Sequence, residues 1–223
     1  MKKFKLTSEF IVDISGVKLF RIKALIEFGN VKAGDLGGYI EKEENLSHMG
    51  NAWVSGDAQV SGNARVFGNA RVFGDAQVFG DAWVSGNAWV SGDARVFGNA
   101  WVSGDAQVFG DAWVSGNARV SGDARVFGNA WVSGNAWVFG DAWIYGDARV
   151  SGDKDYAYAH GFGSCNRTTT FFRLKDGDVG VRCGCFYGTL AQFRDKVCET
   201  HGETKKAQEY LMLADLMEIR FKN

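Results

Sequence analysis

From Gly50 to Ser151 the chain repeats one six-residue unit, Gly-(Asn/Asp)-Ala-X-Val-(Ser/Phe), seventeen times without an insertion or deletion; Ile144 and Tyr145 are the variants. A strict period of six is the signature of a parallel β-helix built from hexapeptides. The same regularity limits function. Repeats that are nearly identical cannot hold one unique catalytic constellation, so any activity is spread along the repeated surface or lies in the two non-repeating ends. Within a unit, Ala-X-Val is a short strand whose side chains alternate in, out, in. Ala52 and Val54 are therefore expected inside, with Trp53 and Ser55 outside. The following Gly-Asn or Gly-Asp pair forms a corner, because both residues accept the left-handed backbone angles of a tight turn.

Written from its valine, the unit reads aliphatic-X-Gly-(Asn/Asp)-Ala-X. This resembles the hexapeptide pattern of left-handed parallel β-helices, in which three hexapeptides make one triangular coil of eighteen residues. The handedness is implied by the resemblance alone. Stepping back by six from Val54 places His48, Lys42 and Leu36 in one inward row. Leu46 and Ile40 join Ala52 in the other, so a degenerate first coil is expected from about residue 36. The expected fold is mainly β: an N-terminal β-rich cap over 1–35, a single-stranded helix of hexapeptides over 36–155, a linker over 156–167, and a small ββαα module over 168–223. Six to seven coils at about 4.8 Å make a rod of roughly 30 Å. Its open ends need caps, since each exposes unpaired strand edges.

Composition narrows the setting. The 223 residues carry a formal net charge of −1 and no proline. That balance lacks the basic footprint of non-specific nucleic-acid binding. No run of about twenty apolar residues offers a membrane span. Met1-Lys2-Lys3-Phe4-Lys5 is not followed by the apolar stretch of a signal peptide. Four cysteines in such a chain point to reduced thiols or metal ligands rather than disulfides, and to a cytoplasmic protein.

The ends carry their own signals. Glu9–Asp13 and Lys18–Ile22 read as strands around Ser15-Gly16. The stretch Val31 to Ile40, with Leu46 and Gly50-Asn51-Ala52-Trp53-Val54 behind it, resembles the start of hexapeptide-repeat proteins common in bacteria and their prophages. That resemblance implies a fold and a phage-like origin, and no chemistry. At the other end, Thr170–Leu174 and Val179–Cys183 read as a hairpin turning at Asp176-Gly177. Thr189 is the expected N-cap of a helix through Cys198 that stops near Gly202. A second helix has an apolar face of Ala207, Tyr210, Leu211, Leu213, Ala214, Leu216, Met217 and Phe221. Cys183-Gly184-Cys185-Phe186 with Gly188, Phe193 and His201 resembles a small domain that ends phage hexapeptide proteins, again with no activity attached.

Four chemistries are open to these residues. Cys183, Cys185, Cys198 and His201 form a C-X-C-X12-C-X2-H series: either ligands of a structural zinc, or small buried cysteines beside a helix-terminal histidine. Cys165 stands outside the set. Acyl transfer, the activity that the left-handed β-helix resemblance implies, uses a histidine near a loop that breaks the coils. Here the histidines are His48, His160 and His201, none within the regular repeats, and no loop interrupts them. No catalytic residue is assigned and the chain is not expected to be an enzyme. The outward X position is always Trp, Arg or Gln, and residues eighteen apart share a face. One face reads Trp53, Arg71, Trp89, Gln107, Arg125, Trp143. The second reads Gln59, Gln77, Arg95, Trp113, Trp131, Arg149, and the third Arg65, Trp83, Trp101, Arg119, Trp137. Trp and Arg are the residues most enriched in interface hot spots, so these faces are expected to meet a partner, either another copy, as in a trimer, or a ligand. The bland alternative is a ladder of cation–π contacts along each face. Last, Asp57, Asp75, Asp93, Asp111, Asn129 and Asp147 share one corner, where they bind cations or cap their own turns. The leading expectation is a non-enzymatic homo-oligomeric assembly module. The runner-up is a phage-encoded binder that sequesters a small host molecule, such as a signalling nucleotide, in clefts between subunits. An acyltransferase-like enzyme comes third.

Overall fold

The computed structural model describes residues 1–163 and 167–222. The chain enters through a hairpin of β1 (Phe4–Val12) and β2 (Lys18–Ala24), paired antiparallel. Its turn is built by Asp13, whose carboxylate accepts hydrogen bonds from the amides of Ser15 and Val17 at 2.8 and 2.9 Å. β2 pairs antiparallel with β3 (Leu36–Ile40), and β3 runs parallel beside Gln59–Val60. The hairpin thereby extends one sheet of the repeat domain into the cap.

Seventeen two-residue strands follow, from β4 (Trp53–Val54) to β20 (Arg149–Val150), each the X-Val pair of one unit. Each of these strands up to Trp131–Val132 lies parallel to the one eighteen residues on. Trp83 and Val84, for example, face Trp101 and Val102, and the Trp83 amide donates to the Ala100 carbonyl at 2.9 Å. Three sheets result, and their rows match the three faces read from the sequence. Corner glycines make this closure feasible. Gly104 has φ +69, and a Cβ there would sit 2.9 Å from the Gly122 nitrogen. Inside, every Ala and Val from Ala52 to Val150 is at most 1% exposed. Burying one Val side chain contributes about 1.5 kcal/mol or more, so a solenoid of about six coils is stabilised by a long, thin, uniform core.

The first coil departs from a strict step of six. Ile40 pairs with Val60 and Leu46 bridges to Val66, both twenty residues away rather than eighteen. Leu46 to Val54 thus spans eight residues where the repeat uses six. Leu36 is consequently 52% exposed, and neither Lys42 nor His48 enters the core. The two extra residues make room for the N-terminus: Phe4, fully buried, stacks on the His48 ring at 4.3 Å.

After β20, β21 (Tyr156–Phe162), β22 (Arg167–Arg173), β23 (Val179–Cys183) and β24 (Phe186–Thr189) form an antiparallel meander. Residues 156–162, expected as part of a linker, are therefore a strand, and the module is ββββαα rather than ββαα. β22 is the shared wall. Phe172 packs into the solenoid core, while its neighbour Phe171 packs into a second core beneath the helices, as strand alternation requires. α1 (Leu190–His201) starts at a capping box of Thr189 and Gln192 and ends at Gly202, φ +55. α2 (Lys205–Phe221) buries Ala207, Tyr210, Ala214, Met217 and Phe221. Leu216, expected on that buried face, is 54% exposed. Cys165 lies outside the described residues.

Both open ends are closed by side chains. At the first rim, the Lys3 ammonium donates to the Ala52 and Gly50 carbonyls at 2.7 and 3.3 Å. The Asn45 amide donates to the Ala64 and Gly62 carbonyls at 2.9 and 3.1 Å. At the last rim, the Tyr156 hydroxyl donates to the Trp137 carbonyl at 2.5 Å, and Asp153 accepts from the Trp137 amide at 3.1 Å. Thr170 Oγ1 accepts from the Trp143 amide at 3.0 Å. Each contact occupies a backbone group that would otherwise template another strand.

Candidate interaction faces

The outward rows are set by the two-residue strand: X points out while Ala and Val on either side point in. Five indoles retain substantial exposure, namely Trp83 (39%), Trp89 (47%), Trp101 (38%), Trp131 (42%) and Trp137 (48%). Trp53 does not share this fate. It is 6% exposed, because the cap covers it and the Phe28 ring meets it edge-on at 5.4 Å. Its sequence phase is outward, and only the fold of residues 1–35 buries it.

Ladder contacts along the faces are extensive. Trp113 and Trp131 stack at 4.8 Å with their planes nearly parallel, while Trp83 and Trp101 meet edge-on at 5.4 Å. Phe67, Phe73 and Phe97 each place an edge against the Trp sixteen residues on, at 5.8 to 6.0 Å. Guanidinium groups lie over indoles: Arg95 over Trp113 at 5.1 Å, Arg119 over Trp101 at 5.8 Å, Arg149 over Trp131 at 4.5 Å. Arg149 is further fixed by donating to the Asn129 and Ala148 carbonyls at 2.9 and 2.8 Å. Ladder packing and a free outer surface therefore coexist, since Trp83, Trp101 and Trp131 stay 38 to 42% exposed after stacking.

The corners form amide ladders. Asn69 donates to Asn87 at 3.1 Å and Asn87 to Asp105 at 2.9 Å; Asn99 donates to Asn117 at 3.0 Å and Asn117 to Asn135 at 3.1 Å. At the acidic corner, Asn129 donates to Asp147 at 3.3 Å. Among the described residues, no three His, Cys, Asp or Glu side chains converge as a metal site would require.

The cysteine series is no exception. Cys183, Cys185 and His201 border one hollow of about 230 Å³ with Phe186, Phe193 and Tyr210, and Cys198 is exposed elsewhere on α1. Cys183 accepts a hydrogen bond from Thr169 at 3.1 Å, and His201 stacks on Tyr210 at 5.8 Å. The structure thus brings three of the four residues to one hollow but does not gather the four around a common point.

Two features had little or no signal in the sequence. One is a hollow of about 380 Å³ between the last coil and the terminal sheet, where Arg182 lies over Trp143 at 4.9 Å and His160 Nδ1 is 2.9 Å from Thr168 Oγ1. The other is an apolar row on the outer side of α2: Met212 (71% exposed), Leu216 and Ile219 (70%). Their spacing of four and three is helical; of the three, only Leu216 belongs to the apolar face expected from the sequence. Lys3 is 1% exposed, with the Phe28 ring 4.6 Å from its ammonium, and burial pushes its pKa down to about 8. No helix among the described residues is long and apolar enough to cross a membrane.

Comparison with known proteins adds to this picture. A family described as the YdcK beta solenoid repeat matches residues 58–74, 64–78, 76–92, 88–104, 106–122 and 118–134. No curated protein matches the chain. The matches fall within the regular coils and leave both caps uncovered, so the chain is a parallel β-solenoid repeat protein whose repeats are similar to those of that family.

Proposed function

We propose that this protein is a non-enzymatic assembly module: a rigid rod whose aromatic- and arginine-bearing faces associate with further copies of itself. The observation that carries this reading is the set of five tryptophans, 38 to 48% exposed: Trp83, Trp101 and Trp137 in a row on one face, and Trp89 and Trp131 one on each of the other two. Exposed apolar surface on that scale marks an interaction site, and Trp and Arg are the residues that dominate interface energetics. The caps support it from another side. With the rim carbonyls and amides engaged by Lys3, Asn45, Tyr156, Asp153 and Thr170, strand-by-strand growth at the ends is disfavoured, which leaves lateral contact as the route to assembly.

Analytical ultracentrifugation of the full chain tests the reading. Sedimentation at a multiple of 24.4 kDa is expected. Replacing Trp83, Trp101 and Trp137 together with serine should lower the mass or weaken association, whereas a protein that is monomeric at all concentrations overturns it.

A further inference from the structure

The third face is unlike the other two in the order of its side chains. From one end of the rod to the other its strands carry Arg65, Trp83, Trp101, Arg119 and Trp137. Read against its own reverse about Trp101, this row sets Arg65 opposite Trp137, Trp83 opposite Arg119, and Trp101 opposite itself. Each guanidinium then meets an indole, a favourable cation–π pairing. Two such faces run parallel would instead set Arg against Arg at two positions. The neighbouring outward row on this face is Phe67, Ser85, Ser103, Ser121 and Phe139. It reads the same in both directions, with small serines in the middle and phenylalanines at the ends. The corresponding rows on the other two faces, Ser55-Phe73-Ser91-Phe109-Phe127-Tyr145 and Ser61-Phe79-Phe97-Ser115-Ser133-Ser151, have no such symmetry.

The repeats contain an internal duplication. Residues 74–103 and 104–133 are the same thirty-residue block twice, identical at 29 of 30 positions; the difference is Trp89 against Arg119. Arg119 lies on the third face. With Trp at 119 the row would read Arg-Trp-Trp-Trp-Trp; its reversal would keep Arg65 opposite Trp137 but set Trp83 against the new indole, with no charge in that pair. The one position at which the two copies differ is the one that completes the self-complementary order. This face is also the most open: all three of its tryptophans are exposed, whereas the first face has Trp53 covered by the cap and Arg182 over Trp143.

We propose that the face bearing Arg65, Trp83, Trp101, Arg119 and Trp137 docks a second copy of this chain, antiparallel, about a two-fold axis through Trp101. A rotation of 180° about an axis lying in the interface and perpendicular to the rod keeps the serine-rich row on the same side in both copies, so both outward rows register at once. An isologous contact of this kind closes on itself as a dimer. The ends add to it. The antiparallel arrangement brings the end bearing Arg220, which donates to the Asp153 carbonyl at 2.9 Å beside Trp137, Phe139 and Leu216, toward the partner's end bearing Glu44 and Glu43, the latter paired with Lys2 at 2.8 Å. This inference rests on the assembly reading above and assigns its face, its partner and its polarity.

Cysteine cross-linking of the full chain tests it, with junctions mapped by peptide mass spectrometry so that the native cysteines are told apart. A mixture of Arg65→Cys and Trp137→Cys proteins is expected to form a 65–137 cross-link between chains, while Arg65→Cys alone forms none at 65. A 65–65 cross-link would mean parallel rods and overturn the polarity. An oligomeric wild type without the 65–137 cross-link overturns the choice of face and leaves assembly standing; a monomeric wild type overturns both. Arg119→Trp supplies a second readout. Trp occupies the equivalent place in the first copy of the block, so the coil accommodates it, yet two Arg–Trp pairs per dimer are lost. The dissociation constant should rise roughly tenfold or more, with no fall in melting temperature when both proteins are compared at concentrations where they are monomeric. An unchanged constant counts against the pairing.

Discussion

Lys3 offers the sharpest test of how the rod is capped. Its ammonium is buried against the first full coil, where it donates to the Ala52 and Gly50 carbonyls and lies near the Phe28 ring. Burial disfavours the charged form and lowers the pKa from 10.5 to about 8. In the unfolded chain the group keeps its higher value. Between these two pH values the unfolded state binds more protons than the folded one, so stability rises with pH across that window and is flat for this group below it. A difference of 2.5 units at about 1.4 kcal/mol each gives a gain of about 3 kcal/mol on going from pH 7.5 to 10.5. The two carbonyls hold the charged form and reduce that figure, so about 3 kcal/mol is its ceiling. Tyr156 works the other way: burial raises its pKa, so its contribution is lost as pH climbs past the unfolded tyrosine value near 10. The assay must therefore be a difference. Guanidinium unfolding of wild type and Lys3→Met, each at pH 7.5, 9 and 10, removes every titration the two proteins share. Wild type is expected to gain on the variant as pH rises. A constant difference over that range would refute the claim that burial depresses the Lys3 pKa.

Further outcomes follow from the coils and the terminal module. Gly104→Ala combines a left-handed backbone position with a Cβ about 3 Å from the Gly122 backbone, and should cost roughly 2–3 kcal/mol in chemical unfolding. Val102→Ala empties part of a fully buried site and should cost about 2 kcal/mol. Tyr156→Phe leaves the Trp137 carbonyl without its donor at the rim, a loss of about 1 kcal/mol by the same measurement. Cys198→Ser, at an exposed position on α1, should stay within about 0.5 kcal/mol of wild type; a larger loss that added zinc reverses would mean the cysteine series does hold a metal.

What could be read from the sequence is what the period of six encodes. The inward Ala and Val rows, the corner glycines and the three outward rows follow from alternation along a two-residue strand, and they appear at the expected positions. The misreadings cluster where the period lapses. Stepping by six through Ser47-His48-Met49 could not reveal two additional residues, because nothing in that loop resembles a corner pair. Trp53 has an outward phase in the repeat and is buried by a cap that has no repeat. Tyr156-Ala157-Tyr158-Ala159-His160 did carry a strand-like alternation, but the glycine-rich stretch after it made the whole segment look like a linker. The candidate faces were legible as rows of residues. Which indoles stay exposed was not, since exposure depends on how the cap and the terminal module sit on the first and last coils.

The duplicated thirty-residue block allows folding and association to be separated. Thirty is five hexapeptides, so removing residues 104–133 joins Ser103 to Gly134 and leaves the unit pattern unbroken. Each inward position still receives Ala or Val, and both caps still meet the coils they meet now, because their contacts are confined to the ends. In a stack whose stability is close to a sum over neighbouring coils, this deletion should yield a shorter, folded rod. Thirty is not a multiple of eighteen, however. Beyond the junction every outward side chain moves to another face: Arg149 takes the place after Trp101, and the third face reads Arg65, Trp83, Trp101, Arg149. Reversed on itself, that row sets Arg against Arg and Trp against Trp. The shortened protein is therefore expected to melt cooperatively and give the circular dichroism of the solenoid, yet to sediment without the two-fold contact. Association at wild-type strength would show that the contact depends on aromatic and arginine content spread over all faces, rather than on their order along one. Failure to fold would mean instead that the caps must keep a fixed rotation about the rod, and that the coils are not the interchangeable units their sequence implies.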